Sequence, residues 1–174
     1  MVEWILTAVG PDRPGLVDEL AAALHKVGAN IADSRMVNLR GQFALIVLVE
    51  APKAAGESLR SSVTTLGQQV GLSVTLSGVE GDPETRGAGV PYRLRTYAMD
   101  QPGIVHRITH LLHGESINIE ELQTRLEPGS VTGTPLFTME LLMTVPSTVQ
   151  VAELRAALGK LCDTLNCDLD MDPA

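Results

Sequence analysis

The chain has 174 residues, 44% of them hydrophobic and 20% charged, with a formal net charge of -8. This length holds one mid-sized domain or two small ones, and the composition is globular, not disordered. Only 13 Lys+Arg face 21 Asp+Glu, with no basic cluster, so a reader of DNA or RNA phosphates is disfavoured, and no dinucleotide or P-loop fingerprint occurs.

From the N-terminus, residues 3–9 form an apolar run of strand length. No basic segment leads into an apolar one, so no secretory signal is expected, and no run reaches the roughly 18 to 20 apolar residues of a membrane span. After Asp12 and Pro14, a helical spacing begins with Leu16, Leu20, Ala23, Leu24 and Val27, and Gly28 closes it. Residues 30–38 read as extended, Arg40-Gly41-Gln42 as a hairpin turn, and 43–50 as a nearly continuous apolar strand of the kind that helices cover. Pro52 ends it. Leu59, Val63, Leu66 and Val70 mark a second amphipathic helix, and Leu72, Val74 and Leu76 alternate as a last strand.

The pattern then recurs. At an offset of 88, Asp12, Pro14, Gly15, Val17, Leu24, His25, Asn30 and Ile31 meet Asp100, Pro102, Gly103, Val105, Leu112, His113, Asn118 and Ile119. Trp4 falls over Tyr92. Further on the offset grows to 94, with Phe43 over Phe137 and Pro52 over Pro146, which implies a six-residue insertion around 127–135. At 95, Leu59, Val63, Leu66 and Val70 meet Leu154, Leu158, Leu161 and Leu165. A repeat of this length is a duplicated domain. Each copy reads βαββαβ, an α+β ferredoxin-like unit whose antiparallel sheet carries both helices on one face. The expected division is a first domain at 1–78, a Gly/Pro-rich linker at 79–90 and a second domain at 91–174. Units of about 80 residues are marginal alone, so packing between copies and homo-oligomers are expected.

Two features recur with chemistry to offer. The first is the turn from first strand to first helix, with Asp12, Pro14 and Gly15 in one copy and Asp100, Pro102 and Gly103 in the other. Pro presets φ for the first helical turn, Gly lets a ligand approach the backbone, and the free N–H groups of the helix start can hold a carboxylate. Each Asp can cap the helix or accept from an ammonium group. The second is Asn30 and Asn118 at the start of the second strand, where an amide offers both donor and acceptor. The same turns also suit a purely structural role. His106, His110 and His113 share one helix face, where a solvated or interface role is expected and no metal. Cys162 and Cys167 lack the spacing and companions of a zinc site and read as reduced, packed thiols of a cytoplasmic protein. Nothing resembles a nucleophile–base or paired-carboxylate site, so no enzyme activity and no cofactor are expected.

Asp12-Arg13-Pro14-Gly15-Leu16-Val17 with Asn30-Ile31 resembles an ACT domain, and Asp100 to Ile119 resembles a second. A tandem pair with nothing else is similar to the bacterial group of glycine cleavage system transcriptional repressors. The resemblance implies a small amino acid, glycine or similar, bound between copies by Asp12, Pro14, Gly15 and Asn30 and by Asp100, Pro102, Gly103 and Asn118. It also implies action on transcription through a protein partner such as a DNA-binding activator, without direct contact to nucleic acid or membrane. Gln101 replaces Arg13 in the second copy, so the two sites are expected to differ. A ligand-free interaction module and a detached regulatory subunit of an amino-acid metabolic enzyme are the alternatives.

Overall fold

A computed structural model describes residues 1–79, 89–128 and 135–174. The chain divides into two compact units, Met1–Asp82 and Pro83–Ala174. The first runs β1 (Val2–Pro11), α1 (Leu16–Lys26), β2 (Asn30–Leu39), β3 (Gln42–Ala51), α2 (Gly56–Val70) and β4 (Ser73–Gly78). The second repeats the order with β5 (Gly89–Met99), α3 (Ile104–Gly114), β6 (Asn118–Pro128), β7 (Pro135–Pro146), α4 (Val151–Leu165) and β8 (Cys167–Pro173). Their antiparallel sheets are ordered β2-β3-β1-β4 and β6-β7-β5-β8. Both units are therefore βαββαβ, and the fold is two tandem ferredoxin-like domains. Of the segment read as a linker, 80–88 lies outside the described residues. Gly89 and Val90 belong to β5, opposite Pro146 and Val145.

Local chemistry explains the elements. Arg40 and Gly41 both have positive φ, 52° and 80°, which makes the β2–β3 connection a two-residue turn of the primed type that matches strand twist. α1 ends in a Schellman motif, with Gly28 N–H donating to His25 O at 3.0 Å and Ala29 N–H to Leu24 O at 3.1 Å. α3 ends the same way through Ser116 and Ile117, with Ser116 at φ 55° where the first unit has glycine. A bulge interrupts β2 between Ile31 and Asp33, and β6 at the matching place between Ile119 and Glu121. The insertion expected around 127–135 leaves Pro128 paired with Pro135, and 129–134 lie outside the described residues.

Each unit buries its own core between sheet and helices. Leu6, Leu16, Leu20, Leu24, Phe43, Val49, Leu59 and Val63 fill the first. Leu94, Ile104, Ile108, Leu112, Met139, Leu141, Met143 and Leu158 fill the second. Cys162 and Cys167 are buried there and unbridged, and burial pushes the Cys162 thiol up to about 12. The apolar run at 43–50 is not enclosed on both sides as its composition suggests. Phe43, Leu45, Val47, Val49 and Ala51 are buried, whereas Ala44, Ile46, Leu48 and Glu50 lie on the face without helices.

The strand-to-helix turns as candidate ligand sites

The backbone of the two turns is nearly identical. Gly15 has φ 92° and ψ -9°, and Gly103 has φ 99° and ψ -5°. These are the angles of the third residue of a type II turn, a place where glycine is needed and proline precedes it well. Pro14 and Pro102 thus build the turn ahead of the helix, and do not occupy its first turn as the motif suggests, because α1 and α3 begin at Leu16 and Ile104. Each glycine is the N-cap, and no side chain caps either helix. Asp12 and Asp100 are therefore not caps. The first-turn N–H groups remain available to an anion, aided by the positive end of the helix dipole.

The side chains around the turns differ. In the first unit, Asn38 Nδ2 donates to Asp12 Oδ2, while Asn38 Oδ1 accepts from Gly41 N–H at 3.2 Å. Arg13 reaches across the turn with Nη1 on Glu19 Oε1 at 2.6 Å and Nη2 on Glu19 Oε2 at 2.9 Å. This fork holds the Glu19 carboxyl below its usual range and raises Arg13. A Cβ on Gly15 would stand 3.4 Å from Glu19 Oε1, so the ion pair lies beside the glycine. Asp18 and Glu19 put two carboxylates in the first turn of α1, where an incoming anion would meet them.

In the second unit none of this is kept. The first turn of α3 has no acidic residue. Arg107 stands where Glu19 does, with its Nε 4.0 Å from the place of a Cβ on Gly103. Gln101 turns away, its Nε2 donating to Leu165 O at the end of α4. Leu126 occupies the place of Asn38. Asp100 and Arg107 thus have no side-chain partner among the described residues, and both are exposed.

The asparagines are not brought to the turns of their own units. Gly10 and Asn38 both face Phe43, whereas Asn30 faces Glu50, seven residues further along β3. At about 3.3 Å per residue that is roughly 23 Å. In the second unit Asp100 N–H reaches Pro135 O at 3.3 Å, while Asn118 faces Thr144 near the far end of β7. The two asparagines also differ. Asn118 Nδ2 donates to Glu120 Oε1 at 2.6 Å, at the bulge. The position that matches Glu120 in the first unit holds Ala32, and the exposed Asn30 amide has no side-chain partner among the described residues.

Arg107, Glu19 and Asn38 are the residues that the motif reading misses. The exchange of Glu19 for Arg107 is visible in the repeat alignment at offset 88. The Asn38–Asp12 contact is not, since 26 residues separate the partners. The histidines are exposed, with the His106 and His110 rings 5.8 Å apart. Among the described residues no group of three His, Cys, Asp or Glu is placed to hold a metal ion.

The duplicated βαββαβ unit, each copy with an uncapped helix after a Pro-Gly turn, is a tandem pair of small ferredoxin-like domains. Residues 4–77 match the ACT domain family, and the chain is a member of it, carrying the fold twice. It is similar to the glycine cleavage system transcriptional repressor of Escherichia coli (strain K12), 25% identical over 162 residues, which covers 93% of this chain and 85% of that protein. It is also similar to a UPF0237 protein of Methanopyrus kandleri, 35% identical over 77 residues, 42% of this chain and 84% of the relative. A solved structure of a protein from Galdieria sulphuraria superposes with a TM-score of 0.80 at 27% identity, over 99% of this chain and 98% of that one. Among the described residues no helix is long and apolar enough to cross a membrane.

Proposed function

We propose that the chain is a non-enzymatic regulator that senses a small amino acid at the turn of its second unit. The observation that carries this is the pairing of charges. Asp12 and Arg13 are engaged within the first unit, by Asn38 and Glu19. Asp100 and Arg107 have no side-chain partner among the described residues, and they flank an uncapped helix start. An amino acid's carboxylate suits the N–H groups of α3 together with Arg107, and its ammonium suits Asp100. Pro102 and Gly103 shape the cradle.

Because Asn118 lies far from this turn and is held by Glu120, an amide that completed the site would come from a second chain. Asn30, which has no side-chain partner among the described residues, is the better suited of the two. Glycine or an amino acid of similar size is the ligand class, in keeping with the similarity to the glycine cleavage repressor. The net charge of -8 supports an action on transcription that passes through a DNA-binding partner protein. The ligand would favour one arrangement of copies, and the partner would read that arrangement. The turn of the first unit, with its charges satisfied internally, favours a structural role there.

Calorimetric titration with glycine, serine and the branched-chain amino acids tests the reading. Saturable heat that Asp100→Asn weakens at least tenfold is expected, with little change on Asp12→Asn. No heat from any of them, together with an unchanged melting temperature, would overturn it. Binding of the isolated chain to DNA would overturn the indirect route.

A further inference from the structure

The solvent face of α3 gathers three of the chain's four histidines, His106, His110 and His113. A helix turns by about 100° per residue, so His110 lies roughly 40° and His113 roughly 20° from His106 around the axis. Ile104, Ile108 and Leu112 point the opposite way and are buried in the core. They fix the helix, and with it the base of each imidazole. All three imidazoles are exposed, and none makes a hydrogen bond or ion pair among the described residues.

The spacing suits a shared ion. An imidazole nitrogen ligates a zinc-sized ion at about 2.0–2.1 Å, which puts each ring centre roughly 3.2 Å from the ion and two such centres at most about 6.4 Å apart. The His106 and His110 ring centres are 5.8 Å apart. His113 follows His110 by three residues, the other spacing at which helix side chains are neighbours. His106 and His113, separated by about 10 Å along the axis, are too far apart to share an ion. His110 therefore belongs to two pairs. The first unit is the internal control, since Asp18, Ala22 and His25 hold the same three places and leave a single imidazole. The duplicated helix carries the pair in one copy alone.

The donor atoms select the ion. Imidazole suits copper, nickel and zinc, whereas magnesium and calcium take oxygen ligands, and α3 has no carboxylate. Arg107 is the other cation on α3 and lies roughly 100° around the axis from His106. Cys162 and Cys167 are buried and do not compete. We infer that His106 and His110 form a surface site for a divalent transition-metal ion, with His110 and His113 as a weaker second pair. Water fills the remaining positions, so no third protein ligand is needed. Copper(II) binds most tightly, as the usual order of affinities requires. The site uses none of Asp100, Pro102, Gly103 and Arg107, so it stands apart from the amino-acid reading.

The test uses the untagged full chain without added amino acid. Substoichiometric copper(II) in a nitrogen–proton correlation spectrum is expected to broaden the amides of residues 106–113 first. Calorimetry with zinc(II) should show affinity falling tenfold or more in His110→Gln, which breaks both pairs. His106→Gln should cost several-fold and His113→Gln less than twofold. Circular dichroism should be unchanged in all three, because these side chains are exposed. Broadening centred on His25 or on Asp168–Asp172 would overturn the assignment. An unaltered affinity in His110→Gln, or a magnesium response as strong as that of zinc, would overturn it too. Failure of glycine to bind bears on the turn alone.

Discussion

In the first unit the helix after the Pro-Gly turn opens with Asp18 and Glu19; in the second it opens with His106 and Arg107. The backbone beneath them differs by only 7° in φ at the glycine, 92° against 99°. The same contrast holds on the sheet faces without helices. Val9, Val37 and Ile46 are each nearly half exposed in the first unit, where the second presents Tyr97, Arg125 and Glu140. Duplication keeps what the backbone requires, a glycine at positive φ and a proline before it, because other residues cost strain there. It leaves the side chains above that backbone free to diverge. Recurrence of the motif therefore marks two similar turns without implying two similar sites.

The largest effect is expected where the units trade volume in their cores. A Cβ on Gly56 would lie 2.8 Å from Trp4 Cζ2, so the first unit keeps glycine at the start of α2 beneath an indole. The second has Tyr92 and Val151 at the matching positions. Gly56→Ala should destabilise the first unit by about 1–3 kcal/mol through overpacking, despite alanine's better helix propensity. Trp4 is the only tryptophan, so fluorescence in a denaturant titration reads that unit directly. An unchanged midpoint would mean that the indole repacks freely and that the exchange of volume carries no constraint.

Next comes the charge exchange at the turns. Arg107→Glu copies Glu19 into the second unit and should weaken amino-acid binding at least tenfold, which is about 1.4 kcal/mol. The reverse exchange, Arg13→Gln with Glu19→Arg and Asn38→Leu, should raise the binding response of the first turn. Both are read by calorimetry with glycine. Arg107→Glu with undiminished binding would break the electrostatic contrast between the turns.

Much of the fold was legible because its signals are local. The spacing of Leu16, Leu20 and Leu24, the Arg40-Gly41 turn and the breaks at Pro52 and Gly28 each act within a few residues. The coverage of β3 was not, because its composition is apolar on both faces and only burial separates Phe43 from Ile46. The site was legible as a motif and not as a constellation. A spacing of fifteen residues between Gly15 and Asn30 carries no information about the reversal of chain direction that puts them at opposite ends of the sheet. The role of Pro14 was misplaced by two residues because a turn and a helix start favour the same proline angle.

A smaller effect is expected at the C-terminal caps. Ser116 has φ 55° where Gly28 has 70°. An L-residue there is disfavoured by roughly 1–2 kcal/mol, partly offset by the greater freedom of glycine in the unfolded chain. Ser116→Gly should stabilise the second unit by about 0.5–1 kcal/mol in chemical denaturation. Gly28→Ser should destabilise the first by a similar amount. A null result in both would mean that the caps differ in more than their backbone angle.

The smallest effect concerns the acid limb of the first unit. Its hydrogen-bonded fork with Arg13 holds the Glu19 carboxyl below its usual range, and Arg107 removes any counterpart in the second unit. A carboxyl whose folded pKa is depressed adds stability above the unfolded value of about 4.3, and that contribution fades as pH falls through the lowered folded value. Glu19→Gln should therefore lie slightly below the wild type near neutral pH, and the two stability curves should converge in acid. Both groups are exposed, so the gap should also shrink with added salt. The matching change in the second unit, Arg107→Gln, should leave no such converging pair of curves. Parallel curves for Glu19→Gln would place its effect in side-chain packing and not in the charge that distinguishes the two turns.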